Sequence, residues 1–280
     1  MPAAPDTTPA ITPTTEPLRT AASRFDRIDA LRGLAMLWMT VYHFCFDLNH
    51  FGYIRQNFYA DPLWTWQRTG IVSLFLLCAG MGQALAVQQG QSWPRFWRRW
   101  AQVVGCATLV SLASWWMFPR SWISFGVLHG MAVMLLVVRW ALARGWLDGA
   151  RCWVAGAVLI VATPWLGDAL TQYGSATWQM ALNSRWLNGL GVVMAKPMTE
   201  DYVPVLPWLG VMLWGVGLGQ ALLNGRRGRW RDQVAQRHPL GPVGGALRWL
   251  GRWSLSYYML HQPVLIGTLM AVGGCAGRVL

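Results

Sequence analysis

The sequence predicts an all-α fold, a polytopic bundle of about seven transmembrane helices with a cytoplasmic N-terminus; an eighth span is left open. Three observations predict it. First, hydrophobic residues make up 54% of the 280-residue chain and charged ones only 12%, about half the share usual in soluble domains. Second, the windows 69–94, 100–119, 121–138, 152–167, 202–225 and 253–277 contain no Asp, Glu, Lys or Arg. All but 152–167 reach the ~17–25 residues a spanning helix requires, and that one comes close. Third, the basic residues are distributed unevenly. Threading seven spans from a cytoplasmic N-terminus leaves seventeen of the twenty-three Lys and Arg residues on the cytoplasmic side, as the positive-inside rule expects. The net charge of +12 therefore reports topology and anionic headgroups. No aromatic-interleaved nucleic-acid motif accompanies it, so no nucleic-acid partner is expected.

The elements follow in order. Residues 1–23, rich in Pro, Thr and Ala, read as a disordered cytoplasmic tail; residues 24–280 form one domain. Span 1 is expected over about 30–48, followed by an outer loop to 66 and span 2 over 68–87. The stretch Ser92 to Trp100 alternates indole rings with Arg95, Arg98 and Arg99, which suits the membrane interface. Spans 3 and 4, over about 100–118 and 122–140, are joined by a short turn at Pro119. Span 5 covers about 152–168. The outer segment 169–204 has room for a short re-entrant piece at 187–195. Span 6, over 205–223, carries Gly210, Gly215, Gly217 and Gly219, which permit close helix approach. A basic loop over 224–252 leads to span 7 at about 250–272, where Pro263 should kink the helix. Many of the twenty Trp residues fall near span ends, where interfacial belts form. The five cysteines show no paired or metal-ligand spacing and read as small buried hydrophobes; no metal is expected.

The chemistry concentrates in span 1. Its greasy run carries Asp29, Arg32, His43 and Asp47. At 100° per residue these fall within about 60° of one another, with Met36 and Thr40 on the same stripe. The stripe is about 27 Å long, close to the thickness of the hydrocarbon layer. Ionisable groups at that depth are costly and face a protein interior or a wet cavity. His43, with Asp47 one turn further on, suits a general base whose carboxylate partner orients the ring. The alternative is a plain hydrogen bond to a neighbouring helix. Arg32 lies about 16 Å toward the inner end, where its guanidinium can hold a phosphate or carboxylate, or simply pair with Asp29. His129 in span 4, and His261 with Tyr257 in span 7, each read alone as satisfied core groups. Together with span 1 they suggest a polar pocket. Asp168 and the pair Glu200–Asp201 sit near outer span ends, where a solvated role is expected. Nucleotide-loop, zinc-protease and serine-hydrolase motifs are absent from the sequence.

Four stretches in order and spacing carry a family likeness. They are Arg27-Ile-Asp29-Ala-Leu-Arg32-Gly33 with His43-Phe-Cys-Phe-Asp47; Phe125-Gly-Val-Leu-His129-Gly130; Tyr202 to Gly210 with Leu206-Pro-Trp-Leu-Gly210; and Gly251 to Val264 around Tyr257 and His261. Over residues from about 24 to 272 the chain resembles bacterial membrane proteins related to the catalytic domain of heparan-alpha-glucosaminide N-acetyltransferase. The opening motif is also similar to that of the broader integral-membrane acyltransferases. The resemblance implies a multi-pass protein of the bacterial inner membrane that moves an acetyl group from cytoplasmic acetyl-CoA to an extracytoplasmic amino sugar or glycan. It implies donor binding by Asp29, Arg32, His129, Tyr257 and His261, and catalysis by His43 and Asp47. In the animal branch the proposed catalytic histidine lies later than the His43 position, with His50 the nearest counterpart here, so the base is left between His43 and His50. The rival class is a transporter in which the same stripe is a permeation or proton path without covalent chemistry. Acyl-CoA binding discriminates the two. Oligomeric state is open.

Overall fold

The computed structural model describes residues 26–199, 201–224 and 241–275, and among these the regular structure is entirely helical. The expected tail at 1–23, Glu200 and the middle of the basic loop lie outside the described residues. The helices are α1 (Asp26–His50), α2 (Pro62–Gln88), α3 (Trp93–Met117), α4 (Val127–Ala143), α5 (Gly149–Tyr173), the short α6 (Ala176–Asn183), α7 (Val205–Asn224), α8 (Gly241–Arg252) and α9 (Ser254–Cys275). A 3-10 turn at Asn188–Leu190 separates α6 from α7. Every expected span coincides with one of these helices over most of its length. Among the described residues α2, α5 and α7 are long and apolar enough to cross a membrane, and α4 is a shorter apolar helix of the same kind. α1 and α3, at 25 residues each, and α9, at 22, have the length but are not among them.

Several boundaries differ from expectation. α4 begins at Val127 rather than 122, because the chain turns through Gly126, whose backbone is extended. The Val127 amide donates to Asp201 Oδ2 at 2.7 Å, so the start of this helix is capped by a carboxylate 74 positions away. Most of α8 lies in the stretch expected as a basic loop, and the last expected span corresponds to α9, which begins after Trp253. The segment at 187–195 contains one 3-10 turn closed by Gly191, at φ +98°. A side chain there would strain the backbone and overlap the Leu206 carbonyl.

Packing is organised around α7. On one side a Cβ added to Gly80 would overlap the Met212 carbonyl, and one on Gly215 would overlap Leu77, which brings α2 and α7 into backbone contact. On the other side Gly156 and Gly210 face each other across α5 and α7, each Cβ falling within 2.7 Å of the opposite carbonyl. Apolar lipid offers helices no hydrophobic drive to associate, so such close approach supplies van der Waals contact instead. Leu76, Met134, Val138, Met212 and Val216 are fully buried in the resulting core. A second cluster of Ala35, Met36, Met39, Tyr42, Phe58 and Phe75 seats α1 against α2. α8 lies across the N-terminal end of α1: a Cβ on Gly33 would strike the Leu247 carbonyl, and one on Gly251 the Asp29 carbonyl. Leu34, Leu37, Val41 and Phe44 remain exposed on the far side of α1. The greasy face of α1 thus points outward and its polar stripe inward.

Candidate functional site

The inward stripe of α1 meets a second polar stripe on α9. Three contacts join them like rungs. The Tyr257 hydroxyl lies 2.7 Å from Thr40 Oγ1, His261 Nε2 lies 3.0 Å from His43 Nδ1, and Gln262 Nε2 donates to Asp47 Oδ1 at 2.8 Å. From Thr40 to Asp47 the row rises about 10 Å along the helix. Helical periodicity sets both stripes: positions 40, 43 and 47 share a face of α1, and 257 and 261 are one turn apart on α9. The His261 ring is buried, parallel to the Tyr257 ring within 12° and 5.6 Å from the Tyr258 ring. His43 is half-buried.

The hydrogen bonds assign the ring protons. His261 Nδ1 lies 2.7 Å from the Tyr258 carbonyl oxygen, and a carbonyl can only accept, so Nδ1 carries the hydrogen. In a neutral ring His261 Nε2 is then an acceptor. His43 Nδ1 must donate to it, which leaves the lone pair of the neutral His43 ring on Nε2. The same reasoning settles the rung below. Thr40 Oγ1 donates to the Met36 carbonyl at 2.9 Å, so the Tyr257 hydroxyl donates to Thr40. The pair therefore presents one unprotonated imidazole nitrogen whose tautomer is fixed by its partner, as a general base requires. Beyond it, Asp47 is 3% exposed, and its Oδ2 has no hydrogen-bond partner, nor has Gln262 Oε1.

At the other end of the stripe Arg32 Nη1 pairs with Asp29 Oδ1 at 3.1 Å. The Arg32 side chain is 27% exposed and borders Gly82 of α2, where a Cβ would come within 3.7 Å of Nη2. This guanidinium is anchored by a buried carboxylate yet keeps donors for an incoming anion.

The remaining predicted residues lie apart from the row. His129 Nδ1 accepts from the Gly126 amide at 3.3 Å, so Nε2 donates to Ser111 Oγ at 3.1 Å, which in turn donates to the Ile123 carbonyl. Both nitrogens of His129 are occupied in the cap of α4. His50 is exposed at the end of α1 with its ring edge-on to Phe51 and Phe118. Asp201 departs from its expected solvated role, because the cap on Val127 draws it into the fold. Burial raises its carboxyl pKa above the ordinary value of 3.8, and the Val127 hydrogen bond and the Arg68 charge offset part of that rise. Glu200 lies outside the described residues. Sequence reasoning missed Gln262 as a member of the row. Its only signal was its place beside His261, one turn and a residue beyond Tyr257. Among the described residues no three His, Cys, Asp or Glu side chains cluster to hold a metal.

Comparison with known proteins follows this geometry. The profile of the family described as Heparan-alpha-glucosaminide N-acetyltransferase, catalytic, matches residues 24–263, a stretch that contains both stripes. Neither a curated protein nor a solved structure matches the chain.

Proposed function

Because the chain belongs to the heparan-alpha-glucosaminide N-acetyltransferase catalytic family, we propose that it is a multi-pass membrane acetyltransferase moving an acetyl group from cytoplasmic acetyl-CoA to an extracytoplasmic amino sugar or glycan. The observation that carries this reading is the His43–His261 pair, which leaves an unprotonated Nε2 on His43 within an inward-facing polar row. In the proposed step the acceptor nitrogen or oxygen attacks the thioester carbonyl. The acceptor's proton passes to His43 Nε2, the carbon–sulfur bond breaks, and the coenzyme thiolate leaves and takes up the proton. His261 holds the tautomer, and Asp47 with Gln262 lines the acceptor side. Arg32, steadied by Asp29, meets phosphate oxygens of the donor; Tyr257 keeps α9 in register with α1 through Thr40. His43 is preferred to His50 as the base because its Nδ1 is held in the row, whereas His50 is exposed at the helix end.

Isolated membranes should move label from acetyl-CoA to an amino-sugar acceptor. His43→Ala should lower the rate by about 10²–10⁴-fold, the usual worth of a positioned base, with expression unchanged. His50→Ala should leave most of the rate. Full transfer by the His43 variant would remove that residue from the mechanism. Failure of wild-type membranes to bind acetyl-CoA at all would favour the transporter class.

A further inference from the structure

Arg139, in the last turn but one of α4, is only 4% exposed. Its Nη2 donates to the Gln91 carbonyl, while among the described residues Nε and Nη1 have no hydrogen-bond partner. Residues 62–147, the whole of α2, α3 and α4 with their loops, contain no Asp or Glu, so these elements supply no carboxylate to it. The guanidinium carbon lies 5.1 Å from the Trp93 ring centre and 5.4 Å from that of Phe96, so the group is set against the first turn of α3. That helix N-terminus lacks a side-chain cap, since Ser92 occupies the cap position without bonding inward. It also has no acidic residue in its first turn, and Arg95, Arg98 and Arg99 are exposed around it.

A buried, half-satisfied guanidinium beside an uncapped helix N-terminus is a site for a tetrahedral oxyanion. The amide end of the helix favours negative charge, and the guanidinium offers a planar pair of donors. We infer that Arg139 and the first turn of α3 hold a phosphate group, carried either by an anionic phospholipid headgroup or by coenzyme A. Exposed indoles of Trp93 and Trp97 at the same end suit a headgroup at the interface. Gly82, which borders Arg32, stands less than two turns from the end of α2 that leads to Gln91, which suits a nucleotide lying across both arginines. Both unpartnered nitrogens are closed to solvent.

The test uses the full chain in detergent. Thermal midpoints are measured with phosphatidylglycerol against phosphatidylcholine, and with coenzyme A against its 3′-dephospho form. Wild type should be stabilised by one ligand of one pair over its control. A gain with phosphatidylglycerol assigns a lipid; a gain with coenzyme A that shrinks without the 3′-phosphate assigns the nucleotide. Arg139→Met should lose the gain, and exposed Arg98→Met should keep it. Arg139→Lys, which retains the charge without the fork and guards against misfolding, should raise the Kd of the effective ligand roughly tenfold, as loss of one charge-assisted hydrogen bond would. No gain in wild type with either ligand, or equal affinity in wild type and the lysine variant, overturns the site. The coenzyme arm rests on the acetyltransferase reading; binding there without label transfer would fault that reading and leave this one standing.

Discussion

At the scale of single residues, the functional claim reduces to where two protons sit. His261 acts through His43 by accepting its Nδ1 hydrogen, so its role is positioning. His261→Ala removes that acceptor and should lower the turnover rate on the order of 10–100-fold, the range for partners that orient a reacting ring, with the KM for acceptor little changed. His261→Gln can place an amide oxygen near the lost Nε2 and should recover part of the rate, which a purely space-filling role would not explain. Equal rates for the two variants would refute the tautomer assignment. Asp201 makes a different prediction. Its carboxyl pKa is raised in the folded protein by burial, so the native state holds its proton more tightly than the unfolded chain. Stability should therefore fall as pH rises from the ordinary carboxyl value of 3.8 through the raised one. Thermal midpoints of wild type should show that slope as pH rises above 3.8, and Asp201→Asn should flatten it; parallel profiles would contradict it. His43, Asp47 and Arg32 were legible in the sequence because an ionisable stripe on a greasy helix is conspicuous. Pairing with His261 was not, since no local pattern specifies which of two distant histidines meets the first.

Among elements, the helices were legible and their ends less so. Apolar windows free of charge marked the spans, because burial in lipid demands them. The start of α4 depends on a contact from elsewhere in the chain, the Asp201 cap on Val127. The seam between α1 and α8 illustrates which contacts matter. Two of the interactions across it differ in kind: the Asp26–Arg248 pair at 2.8 Å, with side chains 24% and 41% exposed, and the backbone approach at Gly33 and Gly251. A pair that wet is worth under about 1 kcal/mol, so Arg248→Ala should barely move the thermal midpoint. Gly251→Ala places a methyl against the Asp29 carbonyl, with rigid backbone on both sides. It should cost about 1–3 kcal/mol and reduce transfer as Asp29 and Arg32 shift. The reverse ranking in a melting experiment would mean that charge, and not close packing, seats α8.

For the molecule as a whole, the charge asymmetry predicts that the α2–α3 end faces the cytoplasm and the α5–α7 connection faces outward. Trp186, 93% exposed in that connection, offers a reporter. Trp186→Cys in sealed cells should react with a membrane-impermeant maleimide, and Arg98→Cys only after lysis. The opposite pattern would invert the proposed orientation and place Arg32 on the wrong side for a cytoplasmic donor. Bulk composition and arginine placement carried the fold class and the expected topology; they could not carry which helices touch, because glycine approaches such as Gly80 to Met212 depend on interlocking surfaces and not on local propensity. The histidine contact has one last consequence. His43 and His261 are 218 positions apart, on the first and last helices described. A ribosome must therefore pass residue 261 before the two rings can meet, and a product terminated before that point should be chemically silent even when lodged in the bilayer. Split halves divided between residues 225 and 240 and expressed together should regain transfer, whereas either half alone should have none.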